Sequence, residues 1–240
     1  EAGIAVDDGK IVAIANAPRL PKAEKTIDAR GNFLLPGVID AHPHIYDPDY
    51  TYREDFVTGT TAAAAGGVTT VIDMPLRKPV LTEFIKEKIS VGEKNSLIDF
   101  SFHSGMIVKE NVNEIPAVVK LGVRSFKVFT CAPFEVEDET LIQVMKTVSE
   151  YNGVLVVHAE NDDIVSEKTN KLKEQGRKDP MAHIESRPAA AEHKAVNKVI
   201  TFAKQIDVHI HIAHMTTKRG VELLERAKAS GQKVTAETCP

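Results

Sequence analysis

Several features that mark specialised proteins are missing from this 240-residue chain. It has only two cysteines, Cys131 and Cys239, which are too few for a disulfide framework and are typical of free thiols in a reducing cytoplasm. No apolar run approaches the ~18 residues that a membrane span requires, and the opening residues do not read as a signal peptide. The net charge is only −4 and both signs are mixed along the chain, which does not indicate a nucleic-acid surface. We therefore expect a cytoplasmic globular protein with neither nucleic acid nor membrane as a partner.

The first 35 residues differ in character from the rest. The segment IAVDDGKIVAIA predicts two alternating strands around an Asp-Asp-Gly turn, and EKTIDARGNFLLPG follows with Gly31 and Gly37 as turn residues. Short antiparallel strands without a helix are expected, so residues 1–35 form a small β unit. Because Glu1 runs almost directly into the first strand, we expect a chain that is cut at its start.

From residue 36 onward, apolar strand candidates alternate with helical stretches at the spacing of βα units. The seven strand candidates are 37–41, 69–74, 99–105, 125–129, 154–158, 208–213 and 233–237. The helix candidates are 56–66, 81–91, 115–121, 139–151, 189–205 and 220–230. Runs such as VLVV and TTVIDM are apolar throughout, which is typical of parallel strands covered on both faces.

This rhythm predicts an α/β fold class with a parallel barrel over residues 36–240. Seven strand candidates in an eight-strand architecture mean an incomplete barrel, and we expect strands seven/eight and a C-terminal β segment to be missing. The charged stretch 167–187 is the most loop-like part of the chain, and forms either an active-site lid or a long surface connection.

Four histidines and one lysine stand at or near the ends of apolar runs. His42 and His44 close PGVIDAHPH, Lys127 lies in GVRSFKVF, His158 in GVLVVHAEN and His214 in HIHIAHMTT. In a parallel barrel, the carboxyl ends of the strands converge on one mouth, however far apart they are in sequence. Because neutral imidazoles suit divalent transition metals such as zinc, the pattern predicts one metal site assembled from four strands.

Side-chain alternation shows which of these residues face the same way. His42 and His44 are two apart and point to one side of their strand, which allows both to bind one ion. The alternative is a pair of polar residues at a strand end. For His158, the alternative is a hydrogen-bonded core residue. Glu160 is two residues further along, so its side chain could point into the same pocket as that of His158.

The strand around residue 210 offers three histidines. His209 and His211 share one face by alternation, whereas His214 does not, unless the strand loosens at its end and lets that side chain turn inward. Spacing alone leaves the choice among the three open.

Lys127 is unusual because a cation inside SFKVF is costly to bury. One interpretation is a paired lysine or an edge strand. The other is an amine that has reacted with carbon dioxide to give an anionic carbamate bridging two metals, since a desolvated lysine has a depressed pKa and a nucleophilic free amine.

At this point the residues resemble the cyclic amidohydrolases, the family of dihydroorotase, allantoinase, hydantoinase and dihydropyrimidinase. The motifs that carry the resemblance span essentially the whole chain and are LLPGVIDAHPH, DFVTGTTAAAAGGVTTVIDMP, SFKVF, VHAEN, ESRPAAAE, IAHMTT and AETCP. The resemblance implies a TIM-like (β/α)8 barrel with a small β-sandwich built from both chain ends. Residues 1–35 would then be the N-terminal portion of that sandwich.

The resemblance also implies a role for each candidate, and it selects His214. His42 and His44 would bind the more buried metal, His158 and His214 the second, and Lys127, as N6-carboxylysine, would bridge both. The implied cofactors are two divalent ions, with Zn²⁺ expected, and carbon dioxide. A metal-bridging hydroxide would attack the carbonyl of a cyclic amide or ureide. The catalytic general base, an aspartate in the family, would lie beyond Pro240.

Positions at which this chain departs from the patterns of individual family members narrow the choice of substrate. Dihydroorotases carry an arginine where this chain has Tyr46, which would be a substrate-binding residue here, and an asparagine where it has Leu76. Hydantoinases and dihydropyrimidinases carry a tyrosine at the position of Ala132. The strings MPL, SRP and ETCP are similar to allantoinases, so an allantoinase-like enzyme is expected, with dihydroorotase or hydantoinase/dihydropyrimidinase as alternatives.

Two further alternatives come from other classes. One is a non-catalytic dihydropyrimidinase-like relative, which would have lost metal ligands, and the other is a mononuclear deaminase, against which Lys127 speaks. Relatives are often dimers or tetramers, so a homodimer or homotetramer is expected by analogy.

Overall fold

A computed structural model describes residues 2–75 and 81–239. The chain divides into two compact units, Glu1–Gly37 and Val38–Pro240. Within the described residues, no helix combines the length and the apolar character that crossing a bilayer would need.

The smaller unit is built on the predicted hairpin. Strands β1 (Gly3–Asp7) and β2 (Lys10–Ala15) pair antiparallel. Asp8 and Gly9 connect them with φ of 46° and 69°, the left-handed backbone that a two-residue hairpin turn needs and that glycine adopts without penalty. The expectation of no helix in this segment was wrong in one detail, since a short 3₁₀ helix (Ala17–Arg19) follows, with Pro18 fixing its first turn.

The described residues of the larger unit form seven strands, one at each predicted position. They are β3 (Val38–Asp40), β4 (Val68–Asp73), β5 (Asp99–Phe102), β6 (Ser125–Phe129), β7 (Val154–His158), β8 (His209–Ile212) and β9 (Val234–Ala236). They form one sheet in the order β3-β4-β5 and another in the order β6-β7-β8-β9, with every pairing parallel. A parallel bridge between Ser104 and Phe126 links the two sheets. The α/β fold class with parallel strands is therefore confirmed.

Helices separate the strands along the chain. They are α1 (Phe56–Ala65), α2 (Leu81–Asn95), α3 (Ile115–Lys120), α4 (Asp138–Glu150), α5 (Asp162–Glu174), α6 (Pro180–Ser186), α7 (Ala189–Ile206) and α8 (Lys218–Ala229), with a 3₁₀ turn (Val112–Glu114) before α3. Side-chain caps fix several starts: Asp55 accepts from the Thr58 N–H at 2.7 Å, and Thr217 from the Gly220 N–H at 3.1 Å.

Both faces of the central strands are buried. On β6 and β7, Phe126, Val128, Leu155 and Val157 belong to the main hydrophobic core, which also takes the apolar faces of α4 and α7. Val156 packs instead with Met74 and Ala213 in a separate small cluster. Lys127 is the register partner of Val156, and its side chain therefore lies on that second side, away from the main core.

The stretch 167–187 is largely helical, so its interpretation as a loop was wrong. Five of its charged residues lie on α5, whereas Arg177, Lys178 and Asp179 lie between α5 and α6. Asn161 caps α5 by accepting from the Ile164 N–H at 3.3 Å, Asp162 and Asp163 stand at its positive end, and Lys171 lies in its last turn. Pro180 begins α6.

Candidate metal centre

The five predicted ligands meet at the carboxyl ends of the strands. His42 and His44 follow β3, Lys127 lies in β6, His158 ends β7, and His214 comes two residues after β8. The rings form a continuous set, with centroid distances of 5.4 Å from His42 to His44, 5.8 Å from His42 to His214, and 4.6 Å from His158 to His214. Burial lowers the pKa of His44 and of His214, and the nearby Lys127 ammonium lowers both further. The structure thus brings together residues from four separate strands.

The two histidines after β3 are each anchored by Nδ1. His44 Nδ1 lies 2.7 Å from the Met74 carbonyl oxygen, which can only accept, so Nδ1 carries the proton and the lone pair is on Nε2. His42 Nδ1 contacts the Glu237 carboxylate. Burial lowers the pKa of His44, which keeps it neutral. For His44 this is the protonation state in which Nε2 can bind a metal.

His158 and His214 face each other. Nδ1 of His158 lies 3.0 Å from Nε2 of His214, and the other nitrogen of His158 lies 2.8 Å from the Glu160 carboxylate. Burial, helped by the proximity of His158 and Lys127, lowers the pKa of His214 to about 4. Beyond the end of β8, His214 has φ of 38°, a left-handed conformation that turns it out of the strand's alternation.

The alternative histidines on β8 point elsewhere. His209 Nε2 lies 3.2 Å and His211 Nδ1 2.9 Å from the hydroxyl of Thr235. His211 also faces Glu237, with 3.4 Å between Nε2 and Oε2. Of the three histidines that spacing left open, only His214 contacts the other candidates directly by its ring.

The environment of Lys127 indicates whether this set of side chains fits metal ions. Its side chain is 1% exposed, and Nζ has no hydrogen-bond partner among the described residues. Burial lowers its pKa to about 8, although the Glu237 charge opposes the shift. The ammonium has only a weak contact with the Phe129 ring, 5.3 Å from its centroid. A buried amine without a partner, beside four imidazoles, fits a group that is stabilised by something other than protein donors, such as a carbamate between cations.

Sequence reasoning missed Glu237, a carboxylate at the end of β9. It bridges His42 and His211. Burial alone would raise its pKa, but hydrogen bonds from the two histidines outweigh burial and hold the pKa well below its usual range. The available signal was its position at a strand end, the same position that drew attention to His158.

A further histidine, His103, also follows a strand but is not part of the donor set. Its Nε2 lies 2.8 Å from the Ala41 carbonyl oxygen and its Nδ1 contacts the Ser125 hydroxyl, so both nitrogens are used. Burial lowers its pKa to about 4. It is a neutral structural residue.

The loop that carries His44 is fixed by a buried ion pair. Lys88 Nζ lies 2.9 Å from Asp73 Oδ2, and both side chains are at most 1% exposed. The Lys88 ammonium also donates to the carbonyl oxygens of Ile45 and Asp47, while Asp73 accepts from the Ile45 N–H. The backbone just after His44 is therefore held by charged partners from β4 and α2.

Tyr46, the predicted substrate residue, lies beside His44 with 6.2 Å between ring centroids, and Arg53 sits over the Tyr46 ring at 5.3 Å. The cavity next to it has a volume of only about 10 Å³. A larger cavity of about 290 Å³ lies next to His158, with Phe129, Phe134 and Arg187 among its lining residues. Space for a small ring is thus on the His158 side.

This cavity contains a second group of potential metal donors, formed by Cys131, His158 and Glu160, whose donor atoms lie within 4.8 Å of one another. Two features disfavour a cation there. Arg187 already contacts the Glu160 carboxylate. Burial and the Glu160 charge raise the pKa of Cys131 to about 11, which disfavours the thiolate that metals bind.

Comparison with known proteins places this arrangement in context. A family model described as Dihydro-orotase-like matches residues 31–220. A dihydroorotase of Methanothermobacter thermautotrophicus is 38% identical over 240 residues, covering 99% of this chain and 53% of that protein. An allantoinase of Bacillus licheniformis is 34% identical over 254 residues, covering 100% and 56%. The solved structure of L-hydantoinase (dihydropyrimidinase) from Arthrobacter aurescens matches with a TM-score of 0.91 at 32% identity, covering 99% and 54%. The chain spans about half the length of the curated relatives it matches.

Proposed function

Because the chain belongs to the dihydro-orotase-like family, we propose that the polypeptide carrying it is a metal-dependent hydrolase of cyclic amide or ureide C–N bonds. The observation that carries this proposal is the convergence, from four strands, of four imidazoles and the buried Lys127, whose Nζ has no hydrogen-bond partner in the described part of the chain. A non-catalytic relative has no need to keep this costly arrangement.

The proposed ligands divide into two pairs with a bridge. His42 and His44 would hold one divalent ion, and His158 and His214 would hold the other. Lys127, as a carbamate, would be the ligand that both ions share: its neutral amine attacks carbon dioxide, the N–C bond forms as one C–O π bond breaks, and one proton leaves to solvent. The lowered pKa of Lys127 favours the neutral amine that this step needs. Zn²⁺ suits the nitrogen-rich set.

Bound divalent ions would supply a water of lowered pKa and polarise the carbonyl of the substrate. The chain's own residues orient the imidazoles and bury Lys127 away from bulk water. The cavity beside His158 offers room for a small ring next to the centre.

The proposed architecture extends the observed strands. We propose that residues 36–240 form part of a TIM-like (β/α)8 barrel and that residues 1–35 belong to a small β-sandwich. A homodimer or homotetramer in the cytoplasm remains the prediction for the assembled protein, and light scattering of the full-length polypeptide tests its oligomeric state.

An allantoin-like ureide is the proposed substrate, with dihydroorotate and the hydantoins as alternatives. Tyr46 supports this substrate because dihydroorotases carry an arginine there, and Ala132 supports it because hydantoinases and dihydropyrimidinases carry a tyrosine there. Leu76, the other departure from dihydroorotases, lies outside the described residues. A substrate carboxylate needs a free cation, and Arg187, the cationic residue among those lining the cavity, is already paired with Glu160. A neutral ureido group fits that lining better.

The test uses the full-length polypeptide, prepared with bicarbonate and Zn²⁺. Elemental analysis is expected to find about two ions per chain, and Lys127→Met to lose them. Allantoin is expected to be hydrolysed faster than dihydroorotate, hydantoin or dihydrouracil. One ion or none in folded wild-type protein contradicts the metal centre. A preference for dihydroorotate contradicts only the substrate assignment.

A further inference from the structure

We infer that Glu160 and Arg187 form a positioning pair, which fixes the ring of His158 so that its Nδ1 faces His214 and thereby sets the affinity of the ion proposed to bind these two histidines. The inference rests on the proposed function. Neither residue is placed among the metal ligands: each acts through His158.

The ring of His158 has a different partner at each nitrogen. Nδ1 lies 3.0 Å from His214 Nε2, and Nε2 lies 2.8 Å from Glu160 Oε2. A carboxylate only accepts, so the proton belongs on Nε2 and the lone pair on Nδ1. A histidine that donates one ring N–H to a carboxylate has a fixed tautomer and a more basic second nitrogen, which strengthens its bond to a metal.

Glu160 is itself held in place. Its N–H donates to the Thr130 hydroxyl at 3.0 Å, and that hydroxyl lies 2.8 Å from the Glu160 carbonyl oxygen. The backbone of the residue is therefore anchored to the segment that directly follows β6.

Arg187 fixes the carboxylate end. Its Nη1 donates to Oε2, the oxygen that also accepts from His158. The Glu160 and Arg187 side chains are 16% and 29% exposed, so the pair is partly shielded from solvent. Since α6 ends one residue before Arg187, the orientation of His158 depends on a helix that no ligand belongs to.

The experiment measures metal affinity rather than turnover. The full-length polypeptide is loaded with Zn²⁺, and each ion is titrated against a chromophoric chelator. Glu160→Ala is expected to weaken one of the two ions by about 10–100-fold and leave the other unchanged, the usual effect of losing such a partner. Glu160→Gln, whose amide oxygen still accepts from His158, is expected to lose less. Arg187→Met is expected to weaken the same ion.

Two comparisons make the test specific. If Arg187 acts through Glu160, the double variant Glu160→Ala/Arg187→Met binds the ion as weakly as Glu160→Ala alone. Arg177→Met is the matched control, since Arg177 contacts Asp179 and Glu185 in a similar cluster without touching a proposed ligand, and it is expected to bind both ions as the wild type does.

Wild-type affinity in Glu160→Ala, or additive losses in the double variant, would overturn the inference while leaving the proposed function intact. Should Glu160→Ala fail to fold, wild-type affinity in both Arg187→Met and Glu160→Gln overturns it equally. A wild-type protein without two ions refutes the proposed function instead.

Discussion

The Nδ1 atom of His158 and the Nε2 atom of His214 lie 3.0 Å apart although 56 positions separate the two residues in sequence. Two nitrogens bound to one tetrahedral zinc at about 2.0–2.1 Å each are about 3.4 Å from one another. The rings therefore need to separate by only a few tenths of an ångström to hold an ion between them.

This spacing predicts a selective loss. His214→Ala is expected to remove the ion shared with His158 and to retain the one held by His42 and His44, so that elemental analysis of the full-length protein falls from about two ions to about one. His209→Ala is the matched control, because His209 lies on the same strand but contacts Thr235. Loss of an ion in the control variant, or two ions in His214→Ala, would contradict the assignment.

The buried pair beneath His44 predicts a large effect on stability. Lys88→Met leaves the Asp73 carboxylate buried without its partner, and we expect a loss of about 3–5 kcal/mol in the free energy of unfolding, measured by urea denaturation. Adding Asp73→Asn should recover part of that loss, because no unpaired charge remains.

Lys86→Met on the same helix is the control for this prediction. Lys86 pairs with Glu83 at the surface, with 51% of its side chain exposed, and its loss should cost at most about 1 kcal/mol. A Lys88→Met variant as stable as this control would show that the buried pair does not hold the loop.

The close packing of Gly105 against Lys127 predicts that a larger side chain at position 105 would disturb the proposed metal centre. A Cβ added at Gly105 would lie 2.6 Å from the Cβ of Lys127, so Gly105→Ala must push β6 away and displace the lysine. We expect a loss of about 1–3 kcal/mol in stability and loss of the carbamate, read by mass spectrometry of the intact protein. Gly66→Ala, where the nearest atom would be 3.4 Å away, should do neither.

The buried histidines predict a pH dependence for the metal-free protein. The pKa of His103 is about 4 in the fold and ordinarily 6.5, so the unfolded chain binds a proton that the folded chain does not. Stability should therefore fall as the pH drops from 6.5 towards 4, with His103 contributing up to about 3 kcal/mol. Urea denaturation with a chelator present measures this dependence.

His103→Gln should flatten this dependence, since an amide keeps hydrogen-bonding capacity but does not titrate. His183→Gln, which changes an exposed histidine, should leave the slope as it is. Equal slopes for wild type and His103→Gln would contradict the assignment of His103 as a buried neutral residue.

The strands and the positions of the candidate ligands could be predicted because apolar runs report burial locally. VLVV is buried on both faces, and the residue at its end, His158, lies at the carboxyl edge of a parallel sheet. The choice of His214 came from family resemblance, since alternation along β8 places His209 and His211 on one face and spacing alone left the choice among the three open. His214 has a left-handed backbone conformation, and the alternation rule applies only to extended backbone.

Other features depended on contacts that no local pattern encodes. Glu237 meets His42 across 195 positions. Lys88 on α2 meets Asp73, the last residue of β4, through a buried ion pair. The helices within 167–187 were missed because a solvated helix face is as charged as a loop, and only the caps and the spacing of a few apolar residues distinguish the two.

At His214, the residue that is best for stability differs from the residue that is needed for the proposed metal site. A histidine with φ of 38° carries a local strain of about 1–2 kcal/mol that glycine would not. An engineer who screens this position for thermostability alone should recover glycine, and with it a sturdier scaffold that has lost a proposed ligand. Consensus or stability-guided redesign of this chain therefore needs position 214 held constant.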